Sequence, residues 1–321
     1  MSQTEINNII SNIKVSCIKI ANLIADTNPM TNSKVVSTNS SDDNVKNLDI
    51  ITNEIMIQEL SKNKSIKALI SEENNDILYI NYPGKYLVAF DPLDGSSNID
   101  CNITIGTIFA IYSLEENTDI QSIILGDTIV SAGYCLYGGS TQFIVADKIN
   151  GVNLFLLNQK NNFKHISNLK IPNKGKIYAI NESNKHRWNH DYYKLLVEEL
   201  ISLKYTQRWV GSLVADTHRT IIKGGFFSYP SDTKSPNGRL RLLYEAIPMC
   251  FIIETSGGKA FVDEKLTDWK LTKFPSNIHV KTPLSFMSKS EYQLLLTCDY
   301  SRVNNLMIAF ETRRKRHKKN I

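Results

Sequence analysis

The chain of 321 residues has no apolar stretch near the roughly 18 to 20 residues of a membrane helix; runs such as Tyr86 to Phe90 are far shorter. Met1-Ser2-Gln3-Thr4-Glu5 puts no basic segment ahead of an apolar run, so no signal peptide is expected. Cysteine is scarce. The five present (Cys17, Cys101, Cys135, Cys250, Cys298) are odd in number, far apart and never in a C-x-x-C pair. That argues against a disulfide framework and a zinc site, and predicts reduced thiols in a cytoplasmic setting. A basic face is also lacking. Of 37 Lys and Arg, six (Arg313, Arg314, Lys315, Arg316, Lys318, Lys319) fall in the last nine residues, and the other 31 stand against 32 Asp and Glu. The net charge of +5 therefore belongs to a solvated tail, and neither nucleic acid nor a membrane is an expected partner. No G-x-G-x-x-G or G-x-S-x-G occurs, and Gly257-Gly258-Lys259-Ala260 lacks the hydroxyl residue and upstream glycine of a P-loop. His186 and His190 are four apart with no third ligand at zinc spacing.

What is present is globular: 42 % hydrophobic and 21 % charged residues, in a chain long enough for two domains. Ile6, Ile9, Ile10, Ile13, Cys17, Ile20 and Ile24 recur at three- and four-residue intervals, the stripe of an amphipathic helix over 5–25. The Asn- and Ser-rich segment 28–47 reads as a loop, and 48–62 as a second helix. Closely spaced apolar runs from Ala68 to Leu157, with Gly and Asn between them, predict one large, mostly hairpin-connected sheet. After Lys170-Ile171-Pro172-Asn173-Lys174-Gly175 the texture changes. A strand at Lys176–Asn181 and a helix near His190–Leu203 open an alternation of strands and helices that runs to a last apolar stripe, Tyr292 to Phe310. The class is layered α/β, with domains expected at 1–171 and 172–321.

The chemistry concentrates in GKYLVAFDPLDGSSNID, residues 84–100. A short apolar strand ends in Asp91-Pro92-Leu93-Asp94-Gly95. Proline fixes the backbone and glycine permits a sharp bend, so two carboxylates and the Leu93 carbonyl are held at the mouth of a sheet. Gly95-Ser96-Ser97 then starts a short helix whose free N–H groups suit a phosphate. Hard oxygen donors of this kind are what magnesium takes when it bridges protein carboxylate to phosphate. Other acids end apolar runs too: Glu72 and Glu73 after Ser71, and Glu254 after Phe251-Ile252-Ile253. Asp43 and Asp49 lie in and just after the Asn-rich segment. A lone acid in such a place is more often a cap; several together make the case for metal.

The sequence resembles fructose-1,6-bisphosphatase of the common eukaryotic and enterobacterial type. The resemblance spans about 43 to 310. It is carried by Leu48-Asp49, SEE at 71–73, the 84–101 stretch, IGTIFAIY at 105–112, AGYCLYG at 132–138, GVNLFLL at 151–157, GKIYAINE at 175–182, RWVGSLVADTHRT at 208–220, SPNGRLRLLYEAIPM at 235–249 and SGGKA at 256–260. It implies a layered αβαβα sandwich of the sugar phosphatase type, a homotetramer, and magnesium-dependent removal of the 1-phosphate of fructose 1,6-bisphosphate in gluconeogenesis. Two or more Mg2+ ions per subunit are implied, with Mn2+ or Zn2+ as substitutes, on Glu72, Glu73, Asp91, Asp94, Glu254 and the Leu93 carbonyl. Asp49 and Glu73 are implied as the pair activating water, with Asp43 completing a site on loop closure. For the substrate it implies Gly95, Ser96, Ser97, Gly211, Ser212 and Leu213 around the 1-phosphate and sugar. Asn181, Arg208 (from a neighbouring subunit), Tyr229, Arg239, Leu240 and Tyr244 are implied at the 6-phosphate end.

Three residues depart from the family pattern. Arg239 replaces a lysine, Trp209 a tyrosine beside Arg208, and Asn184 a tyrosine after INE. The expectation is a surviving reaction with a weakened 6-phosphate end. At the family's AMP site Lys85 and Tyr86 remain, while Ser113 replaces an arginine, so weak or absent AMP inhibition is expected. The rival activity is a sedoheptulose-1,7-bisphosphatase or broader sugar phosphatase. From another class, the rival is a non-catalytic sugar-phosphate-binding paralogue, which the clustered acids disfavour.

Overall fold

The computed structural model describes residues 2–26, 35–38, 44–115 and 118–298. The N-terminal half contains α1 (Gln3–Asp26), β1 (Val35–Thr38), β2 (Asn44–Lys46), α2 (Asn47–Leu60), β3 (Ile66–Ser71), β4 (Leu78–Tyr79), β5 (Tyr86–Asp94) and β6 (Ile105–Ser113). It continues through a four-residue α3 (Leu125–Thr128) to β7 (Ile129–Tyr137), β8 (Thr141–Asp147), β9 (Gly151–Leu157) and β10 (Phe163–Leu169). The C-terminal half runs β11 (Ile177–Ala179), α4 (Asp191–Ser202), β12 (Thr206–Gln207), α5 (Leu213–Lys223), β13 (Phe226–Tyr229), β14 (Leu240–Arg241), α6 (Ile247–Thr255), β15 (Lys259–Phe261), β16 (Lys281–Thr282) and β17 (Leu284–Met287). Residues 289–298 are helical, and the rest of the stripe expected to reach Phe310 lies outside the described residues.

The eight-stranded sheet has the order β10-β9-β8-β7-β6-β5-β3-β4. It is the expected hairpin meander, with β3 and β5 its one parallel pair. Both faces are covered, so β5 and β6 read as nearly continuous apolar runs rather than alternating ones. Alternation survives as a choice of partner. Tyr86, Val88 and Phe90 pack with the Ile9, Ile13, Cys17 and Ile20 stripe of α1, while Leu87 and Ala89 join the core shared with α5 and α6. The second sheet, β12-β11-β13-β17-β15, divides in the same way. Ala179, Phe227 and Phe286 turn to the shared core; Tyr178, Phe226 and Met287 turn to Tyr193, Leu196 and Leu200 of α4. The layers are thus α1/α2, large sheet, α5/α6, small sheet, and α4 with 289–298: the expected αβαβα sandwich.

One local reading changes. Within the segment expected to be loop, β1 and β2 pair antiparallel, Thr38 opposite Asn44. Such short strands in an Asn/Ser/Thr-rich stretch are held by backbone pairing and carry no apolar alternation to betray them.

Candidate active site

β5 carries the first two acids. It pairs with β6 through Asp91 opposite Ile108, after which the register shifts and resumes at Asp94 opposite Gly106. Pro92 cannot donate to a ladder, which fits a bulge at this point; its carbonyl instead accepts from the Thr107 hydroxyl (2.9 Å). The Leu93 N–H turns back to Asp91 Oδ1 (2.8 Å). Gly95 follows at φ 79°, where a side chain would be strained. The expected short helix is a single 3-10 turn, Ser96–Asn98.

Asp91, Asp94 and Glu245 are each nearly buried and bring carboxylate oxygens within 4.8 Å of one another. Two charges that close repel by about 3 kcal/mol at an effective dielectric near 20. Burial, then the charges of Glu72, Asp94 and Glu245, push the Asp91 carboxyl well above its ordinary range. Burial raises Asp94 to about 6, opposed by hydrogen bonds from the Val214 and Leu213 N–H groups and the Ser212 hydroxyl. Val214 N lies 2.9 Å and Ser212 Oγ 3.2 Å from Asp94 Oδ2. Glu245 is raised by burial and by Glu72 and Asp94, and accepts from the Arg241 N–H at 2.5 Å. A buried set of hard, mutually repelling oxygens has the donor chemistry of a divalent cation site, which would relieve both costs.

Of the upstream acids, Glu72 adds its charge to this group. Glu72 and Glu73 sit in a turn fixed by Glu72 N–H to the Phe90 carbonyl (3.2 Å) and Glu73 N–H to Ser71 Oγ (3.2 Å). Ser71 in turn donates to Asn53 of α2 (2.7 Å). Arg241, 3 % exposed, reaches from the second domain to place Nε 3.9 Å from Glu72 Oε1. Asp49 lies buried in the first turn of α2. Asp43 lies outside the described residues.

Two expected site residues are corrected. Glu254 is not the third acid. It sits nine residues further on, at the far end of α6, and is paired with Lys270. The acid that joins Asp91 and Asp94 is Glu245, in a π-helical turn at Leu242–Ala246 just before α6. Such turns often mark functional sites. Tyr244 is fully buried, with its hydroxyl 2.7 Å from His279 Nδ1, so it is not offered to a ligand. His279 Nε2 lies 2.9 Å from the Asn74 carbonyl, making the pair a tie between the domains. Glu245 and Arg241 were missed although both stand in the quoted SPNGRLRLLYEAIPM run. A lone acid within the apolar run Leu242–Met249 was the available signal.

α5 begins beside this cluster. Ser212 precedes it, and the Asp216 carboxylate accepts from the Val210 and Gly211 N–H groups (3.1 to 3.2 Å). Asn98 Nδ2 reaches the Gly211 carbonyl at 3.4 Å, joining the Gly95-Ser96-Ser97 turn to this loop. Further out, Trp209 stands edge-to-face with Tyr229 at 5.5 Å. Arg239 interacts with the Tyr229 hydroxyl and lies 3.6 Å from Asp232. Asn181 caps the next segment through Ser183 N–H (3.2 Å), and Leu240 is buried in β14. Arg208 is exposed and lines a cavity of about 580 Å³ with Lys174, Lys176, Arg219 and Lys223. At the opposite end of β5, the Tyr86 hydroxyl meets Glu5 of α1 (3.3 Å), and Tyr86 lies opposite Ser113; Lys85 precedes it. Among the described residues no helix is long and apolar enough to cross a membrane.

Comparison with known proteins agrees with this architecture. Residues 1–168 match the family model for the N-terminal domain of fructose-1-6-bisphosphatase, and 171–299 that for its C-terminal domain. A class 1 fructose-1,6-bisphosphatase of Sulfurihydrogenibium sp. is 45% identical over 257 residues, 78% of each chain. A cytosolic fructose-1,6-bisphosphatase of Spinacia oleracea is 40% identical over 258 residues, 77% of this chain and 74% of that one. The holo form of Leishmania major fructose-1,6-bisphosphatase superposes with a TM-score of 0.86 at 32% identity, over 93% of this chain and 95% of that one. Matched along both halves, and with its buried acids drawn from each, the chain belongs to the fructose-1-6-bisphosphatase family.

Proposed function

We propose that the chain hydrolyses the 1-phosphate of fructose 1,6-bisphosphate, giving fructose 6-phosphate and phosphate, in the cytoplasm and in gluconeogenesis. The observation that carries this is the convergence of Asp91, Asp94 and Glu245 within 4.8 Å, beside the start of α5. Magnesium ions held by these three, with Glu72, Glu73 and the Leu93 carbonyl, would neutralise the phosphoryl oxygens and acidify a water; manganese or zinc suits the same oxygens less selectively. The protein's own part is positioning and proton transfer. The N–H groups of the Gly95-Ser96 turn and of Ser212 would receive the 1-phosphate, while Gly211 and Leu213 shape the loop through their N–H bonds to Asp216 and Asp94. Glu73, seconded by Asp49, takes the proton of the attacking water. Asn181, Tyr229 and Arg239 receive the second phosphate. Arg208, exposed and turned into a basic cavity, serves a neighbouring subunit of a homotetramer.

Phosphate release from fructose 1,6-bisphosphate tests this, with magnesium and with EDTA, beside sedoheptulose 1,7-bisphosphate and inositol monophosphate. Metal-dependent release favouring fructose 1,6-bisphosphate is expected. Faster turnover of another sugar phosphate would reassign the substrate, and none from any would move the chain to a binding role. AMP should inhibit weakly or not at all. Without an arginine at Ser113 a nucleotide phosphate loses a charge-assisted partner, about 1.5 to 3 kcal/mol, and Tyr86 is engaged by Glu5. Inhibition at low micromolar AMP in a titration would overturn that.

A further inference from the structure

Beyond Tyr229 lies a cluster of charges formed by Arg187, Asp232 and Arg239. The 3-10 segment Glu182–Arg187 is followed by Trp188, which forms an antiparallel bridge with Asp232. The Thr233 N–H donates to the Arg187 carbonyl (3.1 Å), and the Asn189 N–H to that of Ser231 (3.3 Å). The Asn189 amide adds a bond to Ser231 Oγ (2.7 Å). The backbone of Arg187 is therefore pinned on both sides to the 231–233 turn, and its side chain has a defined address.

That address is Asp232. Arg187 Nη2 lies against Asn184 Oδ1 and 3.5 Å from Asp232 Oδ2; from the other side Arg239 Nη2 lies 3.6 Å from the same oxygen. The second oxygen, Oδ1, is already used by the Lys234 and Ser235 N–H groups, each at 2.8 Å. Two guanidinium groups thus share one carboxylate oxygen, at distances long for a charge-assisted bond. At Asp232 itself two guanidinium groups stand against one carboxylate, and Arg187 Nε is buried with no hydrogen-bond partner among the described residues. The side chains are 20 % and 39 % exposed, open enough to meet a ligand. Through Arg239 and Tyr229 the pair is continuous with Glu245 and the acid cluster.

A purely structural ion pair would match its charges; this one does not. A phosphate dianion accepts two planar forks side by side, which is what two arginines around one carboxylate are placed to offer. We propose that Arg187 is a specificity-determining residue, forming with Arg239 a two-guanidinium clamp on the second phosphate of the sugar bisphosphate, with Asp232 as the shared counter-ion. The clamp rests on the sugar-bisphosphate reading of the cleft and deepens it. It also reverses the expectation for Asn184. That residue is too short to reach a phosphate, yet its carbonyl oxygen holds an arginine that can.

The test uses the full chain in two assays. Fructose 6-phosphate, which carries only the second phosphate, is titrated calorimetrically in EDTA. Steady-state kinetics with fructose 1,6-bisphosphate then separate KM from kcat. Arg187→Gln should weaken fructose 6-phosphate binding and raise KM by about tenfold or more, as expected for losing a charged hydrogen-bond partner, with kcat changed less than KM. Arg187→Lys should fall between. Lys185→Gln, on the same segment but paired with Glu198, is the control and should leave both unchanged. An Arg187→Gln protein that melts normally and keeps both values within twofold overturns the clamp, whatever the activity of the parent. Should the parent hydrolyse no bisphosphate while fructose 6-phosphate binding still depends on Arg187, the activity assignment fails and the clamp stands.

Discussion

Asp91, Asp94 and Glu245 repel one another in a nearly dry site, so each is destabilising until a cation arrives. Glu245→Gln should therefore lower metal-dependent turnover by at least about a hundredfold. In metal-free protein it should raise stability by about 1 kcal/mol, or about 2 °C in Tm for a chain of this size. Glu254→Gln breaks only the pair with Lys270, about half of it exposed, and should change turnover less than twofold. The opposite order in the two variants would return the metal-ligand role to Glu254. The pair also shows where sequence reading stopped. Asp91 and Asp94 were legible because four consecutive residues make their turn, whereas Glu245 joins them from about 150 positions away. Two acids in one apolar run look alike until a π-helical turn decides which points to the cluster.

Among the elements, α5 does most to shape the cleft. Its first turn holds Asp216, whose carboxylate folds the 210–212 loop back over the helix start. Burial, opposed by those N–H groups and by Arg219, raises Asp216 from 3.8 to about 6. The folded protein thus binds this proton more tightly than the unfolded chain. The group's contribution is complete below 3.8 and is lost as pH climbs through 6. Asp216→Asn can still accept from one of the two N–H groups but does not titrate. Its stability relative to the parent should accordingly improve between pH 4 and pH 7, measured by urea midpoints at each pH. A constant difference across that range would show that Asp216 does not titrate there. From the sequence α1, α4 and the strands β5 to β8 were legible, whereas RWVGSLVADTHRT stood out only as a stretch of resemblance. The β1–β2 hairpin was not legible, since its pairing leaves no apolar pattern.

At the scale of the whole molecule, both sheets pack on α5 and α6, and cross-domain bonds such as Arg241 to Glu72, Tyr244 through His279 to Asn74, and Val214 to Asp94 hold the halves together. None of these pairings can be read from one sequence, because each depends on how two layers settle against each other. Assembly beyond the chain is testable through Arg208. If that arginine serves a neighbour, Arg208→Ala and Asp91→Asn subunits should each be impaired alone. Unfolded together and refolded, they should recover part of the turnover, because some mixed assemblies pair an intact acid cluster with an intact arginine. No recovery from mixed, correctly sized assemblies would mean that Arg208 acts within its own subunit. The placement of α6 has a further consequence, for synthesis. It is the sequence-distant lid of the large sheet, made of Ile247-Pro248-Met249-Cys250-Phe251-Ile252-Ile253, every one buried. While the ribosome is still making the second half, the first half already has all its strands but presents a bare apolar face. The nascent chain is then at its stickiest, and the stretch that covers this face emerges together with the acid that completes the site.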